Sequence, residues 1–544
     1  MRATPRADAV SCFLVAIALL AAAHAVTFDP GEPFFNNDET RHVMTGVFFR
    51  DFIHDWPLKN PVQYATRYYL QYPALGLFVW PPLFHATLGV AMSAFGTSIG
   101  VAKVLVGLFS ALAGLYLYLL VLRTHGEPVE AAFTLLLFGF APLVFTYSSF
   151  VMLEIPTLAF SLASTFHFVR YLDDGARRDL FAATLFAAAA ALTRFDAVFL
   201  LLVFAILIVG RQRLRVLLRP EILAAAVLGL LVVLPVYVIT AVEVGSAHLT
   251  AASEGTVDGQ GGFLAAGNLG YYPGYVPAQM SWVAAAFAVA GIGSVVWRRD
   301  GRALPYLAMV LATYVTFTPM AELDTRHAIY WVPGLALLAV EGARLVGRLA
   351  RDERLSILVC LIVVAAAAAT TLTRPRRSVA GYEAAAGYVV AHGGSERMCL
   401  FDGRLNGDFI YQMRRQDPAR RTWVLRGDKV LYSTFGDFER QYQEIARDSD
   451  GVLDTIFKYD VAYVVVEQPG VPLRIAQALR AMLRERPDRF RLEATIPVRG
   501  MPPPFDATRL EIYRSLLRNE HPADRIDVDL HMLRRRVETD RPER

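Results

Sequence analysis

Lysine is nearly missing from this chain: of 54 basic residues only Lys59, Lys103, Lys429 and Lys458 are lysine. Arginine is the default cation, so a single arginine carries little weight by itself. Cysteine is as sparse. Cys12, Cys360 and Cys399 lie far apart, the first two in apolar runs, which excludes a disulfide framework or a cysteine-based metal spacing. The sequence contains no Walker-type glycine loop and no His-Glu-x-x-His pair. Internal repeats and low-complexity blocks are absent. The net charge of +4 over 544 residues is too small to suggest nucleic acid as a partner.

Apolar residues are what the chain has in excess, at 55%. Several runs approach or exceed the ~20 residues needed to cross a bilayer's hydrocarbon core. Spans are expected at about 9–26, 99–122, 129–147, 155–172, 179–194, 197–210, 221–240, 279–297, 303–320, 328–345 and 355–373, about eleven in all. The first follows Arg2 and Arg6 and ends near Ala23-His24-Ala25, which has the form of a signal cleavage site. A retained span fits better, because so many others follow.

Loop charge supplies the orientation. With the N-terminus inside, the cytoplasmic loops receive Arg123; Arg170, Arg177 and Arg178; Arg211, Arg213, Arg215 and Arg219; Arg298, Arg299 and Arg302; and Arg344, Arg348, Arg351 and Arg354. The outer loops 148–154 and 241–278 contain no lysine or arginine. Residues 81–96 are short and open on Pro81-Pro82. Counted as a span they would invert every later loop, so they read as an interfacial or re-entrant helix inside one large outer loop, 27–98.

Residues 374–516 change to the composition of a soluble α/β domain on the outer side. Strand-like runs fall at 398–401, 422–427, 461–467 and 509–514, with helical stretches near 379–392 and 472–486. The tail, 517–544, is charged and reads as disordered. The fold class expected is an α-helical polytopic membrane protein, 1–373, carrying a C-terminal soluble α/β domain.

The most informative stretch is Phe34-Phe35-Asn36-Asn37-Asp38-Glu39-Thr40-Arg41-His42. Two adjacent carboxylates sit at a helix start that Asn36 or Asn37 can cap, where the helix dipole favours acids. Met44, Val47, Phe48 and Phe52 continue an apolar face, and Arg41 and His42 share the side of Asp38. An acidic first turn alone explains the pair; its place against a bilayer suggests more. Glu154 opens a span just before Pro156, as a cap or as a second acid. Arg194 and Asp196 flank an outer junction, where a local ion pair explains them equally well. Arg326, with Asp324 and His327, stands out because arginine is nearly absent from the outer loops, and a guanidinium there can grip a lipid phosphate. Interfacial anchoring is the competing role. Asp258-Gly259-Gln260-Gly261-Gly262 with Tyr271, Tyr272 and Tyr275 suits a mobile cover over a site. Arg426-Gly427-Asp428 is a chance match to an adhesion tripeptide.

The cytoplasmic loops reach only about ten residues, whereas a nucleotide-binding domain takes on the order of 100. An active site would face outward, where an activated group must arrive on a lipid.

In their order, these features resemble the GT-C glycosyltransferases that use polyprenyl-phosphate sugars, namely the protein O-mannosyltransferases and the lipid A aminoarabinose transferases. They are the early acidic pair, Pro81-Pro82 before a short helix, an acid followed by proline at the second outer loop, Leu192-Thr193-Arg194, and Arg326-His327 before Trp331-Val332-Pro333. The resemblance covers residues 1–373. It implies an inverting transfer of a sugar from a polyprenyl-phosphate donor to a lipid, glycan or protein acceptor at the outer face of a bacterial plasma membrane. Asp38 would be the base and Glu154 the second acid, orienting the acceptor or sharing a divalent cation with Asp38. Glu39, Arg41, His42, Arg194, Arg326 and His327 would contact substrate, Arg326 at the donor phosphate. Family members often carry lysine just before the Pro-Pro pair; Trp80 stands here, leaving Arg67 or His85 as its substitute. The alternative is a transporter or flippase of a lipid-linked saccharide, which would show repeat symmetry and mid-span ionisable residues.

Overall fold

A computed structural model describes residues 6–29, 34, 37–245, 252–253, 262–375, 377–393, 398–434, 442–503, 505–530 and 535–540. Every expected span coincides with helix. In chain order these helices are α1 (Arg6–Thr27), α2 (Asn37–Asp55), α3 (Pro61–Gln71), α4 (Leu83–Phe95), α5 (Ile99–His125), α6 (Pro128–Gly139), α7 (Pro142–Tyr147), α8 (Glu154–Asp174), α9 (Arg177–Ala191), α10 (Phe199–Gly210) and α11 (Pro220–Val244). Then come α12 (Asn268–Met280), α13 (Trp282–Arg298), α14 (Leu304–Phe317), α15 (Val332–Ala350) and α16 (Glu353–Leu372). Five stretches among the described residues are long and apolar enough to cross a membrane: Ala7–Thr27, Ile99–His125, Pro220–Val244, Thr325–Ala350 and Glu353–Leu372.

Local chemistry sets the boundaries. Ser98 caps α5 by accepting from the Val101 amide, and Gly126 ends it at φ +80°, a conformation that favours glycine. The expected span 129–147 breaks into α6 and α7 at Ala141-Pro142, because proline cannot donate to the preceding turn. With 13 residues, α4 is about 20 Å long, short of the hydrocarbon core. Helices α13 and α15 meet backbone to backbone. A Cβ on Gly291 would lie 1.8 Å from the Leu338 carbonyl oxygen, and one on Gly342 2.0 Å from that of Phe287. Only glycine permits that approach.

Beyond α17 (Tyr382–His392) the chain forms a five-stranded sheet ordered β2-β1-β5-β7-β6. Its strands are β1 (Met398–Asp402), β2 (Trp423–Arg426), β5 (Tyr463–Gln468), β6 (Phe490–Pro497) and β7 (Arg509–Ser515). A two-stranded pair, β3 (Tyr432–Ser433) with β4 (Gln443–Glu444), stands apart. Strands β2, β1 and β5 are parallel, linked through α18 (Asn406–Gln416) and α19 (Ser449–Lys458), while β7 runs antiparallel between β5 and β6. Helix α20 (Arg474–Glu485) connects β5 to β6.

Three sequence expectations need correction. The tail is ordered where described: β8 (Arg525–Leu530) and β9 (Arg535–Asp540) pair as a hairpin. Ile526 and Val528 are buried while charged residues alternate with them, a two-residue period that average composition conceals. The loop expected at 241–278 contains α12, so Tyr271, Tyr272 and Tyr275 sit on a helix; Tyr272 is buried and the Tyr271 hydroxyl donates to the Leu323 carbonyl. Of the glycine-rich stretch, 258–261 lies outside the described residues. Finally, Asn37 is not a simple cap: its side chain bonds across to the loop after β1 and the start of α18, and Asn36 lies outside the described residues.

That bond belongs to a long seam. Asn37 Nδ2 donates to the Arg404 carbonyl at 2.7 Å, and the Gly407 amide donates to Asn37 Oδ1 at 3.2 Å. Buried Arg414 on α18 pairs with buried Asp51 on α2 at 2.6 Å, with the Tyr68 hydroxyl on the same carboxylate oxygen. Gln71 donates to the carbonyls of Arg420 and Thr422, and Arg426 to that of Pro73. The order β2-β1-β5 reverses direction at β1, where doubly wound sheets bind ligands outside their strand ends. Here the residues following β1 hold the start of α2.

Candidate functional site

The acidic pair occupies the first turn of α2. Glu39 points inward and is 1% exposed; its Oε2 accepts from the Val151 amide at 3.1 Å, fastening α2 to the loop before α8. Asp38 points the other way, with 30% of its side chain accessible. Arg326 Nη1 reaches Asp38 Oδ2 at 3.2 Å, while its Nε lies 3.0 Å from Asp324 Oδ2 and 3.7 Å from Glu154 Oε1. Glu154, fully buried, is gripped by Arg194 Nη1 at 2.6 Å, and Arg194 Nη2 holds Asp196 at 2.7 Å. One chain of alternating charge thus runs Asp38–Arg326–Glu154–Arg194–Asp196, its first link joining residues 288 apart in sequence. The Tyr330 hydroxyl extends it, donating to Asp196 at 3.4 Å.

Arg41 lies one turn after Asp38, 3.5 Å from its other oxygen and 32% accessible. Burial lowers its pKa despite the nearby Asp38 carboxylate, and Arg426, Asp428 and Tyr69 act on it as well.

Two histidines border this chain. His42 Nδ1 is 3.0 Å from His85 Nε2, and His85 Nδ1 is 3.2 Å from the Pro81 carbonyl oxygen. Burial holds both well below the ordinary histidine range, His85 at about 4; the His85 ring and the guanidiniums of Arg194, Arg326 and Arg41 lower His42 further. His85 is thus neutral at physiological pH and presents no cation for a phosphate. Arg67 is not brought to the cluster either: its guanidinium lies 6.0 Å from the Trp423 ring on β2. His327 is buried behind Arg326, stacked on Phe317 at 5.5 Å.

A divalent cation shared by Asp38 and Glu154 does not suit this arrangement, because Arg326 stands between the two carboxylates and already compensates both. A further group, His125, Glu130 and Glu341, brings ligand-type atoms within 4.8 Å of one another at the far end of α15. Arg344 binds Glu130, and Arg298 and Arg348 each hold Glu341 at 2.7 Å. Three guanidiniums on two carboxylates leave no net negative charge to attract a cation.

Sequence reasoning missed the C-terminal contribution. Gly407 packs so closely on α2 that a Cβ would lie 1.9 Å from Thr40 Oγ1. Asp408, the next residue, is buried beside Glu39, and burial above all raises its pKa to about 8. An exposed-looking acid in a helix's first turn gives no sequence signal of this.

In fold, the chain is similar to solved structures of GT-C glycosyltransferases. The sequence profile of the dolichyl-phosphate-mannose-protein mannosyltransferases matches residues 79–239, a segment with Glu154 and Arg194 but not Asp38 or Arg326. No curated protein matches the chain by sequence. Among solved structures, ArnT from Cupriavidus metallidurans bound to undecaprenyl phosphate superposes with a TM-score of 0.61 at 14% identity, over 92% of this chain and 97% of that one. An oligosaccharyltransferase from Archaeoglobus fulgidus gives 0.52 at 12% identity, over 84% and 69%. The arabinofuranosyltransferase AftD from Mycobacteria gives 0.54 at 15% identity, over 97% of this chain and 41% of AftD.

Proposed function

We propose that this protein is an inverting glycosyltransferase of the outer face of a bacterial plasma membrane, moving a sugar from a polyprenyl-phosphate donor to a lipid, glycan or protein acceptor. The observation that carries the reading is the convergence of an accessible Asp38 with Arg326 and a sealed Glu154. The similarity to a structure holding undecaprenyl phosphate supports it.

A polyprenyl phosphate leaves as a stable anion, so no strong general acid is needed. Asp38 takes the proton from an acceptor hydroxyl or amine as that atom bonds to the anomeric carbon. The carbon–oxygen bond to phosphate breaks on the opposite face, inverting configuration. Arg326 stabilises the charge gathering on the phosphate. Since Arg326 otherwise pairs with Asp38, an arriving phosphate competes for it and releases the carboxylate when a base is required. Glu154 and Arg194 hold the guanidinium in place, and Arg41 is a second cation within reach. Glu39 and His327 act by packing rather than by touching substrate.

The test is transfer of radiolabel from a synthetic polyprenyl-phosphate sugar by the purified full chain in lipid nanodiscs, with the anomeric configuration of the product read by NMR. Transfer with inversion is expected; retention of configuration, or no transfer beside vectorial movement of the lipid-linked sugar in vesicles, sinks the reading.

A further inference from the structure

The two buried histidines outside the ion-pair chain fix one another's protonation. The Pro81 carbonyl can only accept, so His85 carries its proton on Nδ1, 3.2 Å away. A neutral imidazole then has a bare Nε2, which must accept from His42 Nδ1 at 3.0 Å. His42 is left with its lone pair on Nε2. Burial keeps both rings neutral, and the cations beside His42 reinforce this. Only one set of tautomers satisfies both contacts. No group among the described residues donates to His42 Nε2.

We propose that His42 Nε2 accepts a hydrogen bond from a carbohydrate hydroxyl at the transfer site, making His42 a specificity-determining residue; this rests on the glycosyltransferase reading above. His42 follows Asp38 by one helical turn, which places their Cβ atoms about 5–6 Å apart on one face of α2. The Trp80 ring stands edge-on to His42 with centroids 4.6 Å apart. A half-buried aromatic ring beside an obligate acceptor suits a sugar, which offers an apolar C–H face and hydroxyl donors together. A neutral acceptor has nothing to offer a phosphate, so the division of labour is clear: guanidiniums take the phosphate and His42 the sugar. The competing role is architectural, with the His42–His85 bond merely joining α2 to α4.

His42→Asn separates the two roles, because its amide nitrogen falls near the Nδ1 position and keeps the bond to His85 while removing the acceptor at Nε2. In nanodiscs, H42N is expected to bind undecaprenyl phosphate within about twofold of the unmodified protein. Its KM should rise about tenfold, the usual worth of one such hydrogen bond, with a smaller change in kcat. A rise in KM for the polyprenyl-phosphate sugar assigns the hydroxyl to the donor; a rise for a total glycolipid extract, at saturating donor, assigns it to the acceptor. His42→Gln, which can offer an amide oxygen near the Nε2 position, should recover part of the loss. Should H42N not fold, ¹⁵N spectra of the histidine-labelled unmodified protein decide: Nδ1-protonated neutral rings at both positions support the proposal, and a proton on His42 Nε2 overturns it. Unchanged KM in both arms for H42N overturns it alone, whereas an unmodified protein that transfers no sugar overturns the functional reading with it.

Discussion

Two charge networks flank the first half of α15: Glu341 falls nine residues, about 14 Å, beyond Val332 at its start. Before its start lie Arg326, Asp38, Glu154 and Arg194; from its middle toward its far end lie Glu341, Arg344 and Arg348, joined by Glu130, His125 and Arg298. The partners are chemically alike, but what faces water is reversed. At the far end the carboxylates of Glu130 and Glu341 are sealed, at 2% and 1%, while Arg344, Arg298 and Arg348 are about a third accessible. At the near end Arg194 and Arg326 are recessed, at 14% and 19%, and the Asp38 carboxylate is 30% accessible. Accessible cations over sealed acids tie helices together and suit a positively charged membrane flank. An accessible acid backed by recessed cations is a group a substrate can reach. Counting ion pairs would not distinguish the two networks.

Substitutions can break or sharpen that contrast. Glu341→Ala leaves Arg298 and Arg348 without their sealed partner and is expected to cost about 3–5 kcal/mol of stability. Denaturation of the purified protein should show the loss, with kcat/KM per folded molecule unchanged; a selective loss of activity would blur the distinction. Arg326→Met at the near end should lower kcat/KM about 10²-fold, roughly 2.7 kcal/mol, as for removal of one charge-stabilising donor. Equal losses of rate from both substitutions would mean that the networks are not different in kind.

Gly407→Ala tests whether the C-terminal domain belongs to the near-end site. Its methyl group meets Thr40 Oγ1, so α18 and α2 must move apart, at about 1–3 kcal/mol. Lower kcat together with lower thermal stability is expected; wild-type kcat would detach the domain from catalysis. The smallest effect is expected from Asp408→Asn. The folded pKa of Asp408 is raised to about 8 from 3.8, so between those values the folded chain holds a proton that the unfolded chain has released. Stability from this group is therefore full below about pH 4 and is lost as pH rises through 8. His85 acts oppositely, its folded pKa being lowered from 6.5 to about 4, but its contribution is complete above pH 6.5. Between pH 6.5 and 8, unmodified protein should lose stability with pH more steeply than D408N; parallel slopes would show that Asp408 is ionised when folded.

Part of the near-end site was legible because lysine and arginine are scarce in the shorter outer loops. Arg326 stood out against arginine-free outer segments, and Asp38 by its place after the first apolar run. The helices were legible from unbroken apolar runs, down to the short one at Pro81-Pro82. Arg194 was ambiguous because Asp196, two residues on, explains it locally; that it also grips Glu154, 40 residues earlier, is tertiary information. The seam of Asn37 with Gly407 spans 370 residues and leaves no periodic trace. The hairpin of β8 and β9 was hidden because alternate charged residues dominate its composition while Ile526 and Val528 carry its buried face.

The most direct measurement is the rate of sugar transfer from a polyprenyl-phosphate donor by Asp38→Asn, normalised to folded protein. Asparagine keeps the shape and loses the base, so transfer should fall at least 10²-fold while melting temperature and undecaprenyl-phosphate binding stay near those of the unmodified protein. Transfer within a few-fold of normal by a folded D38N would contradict the account.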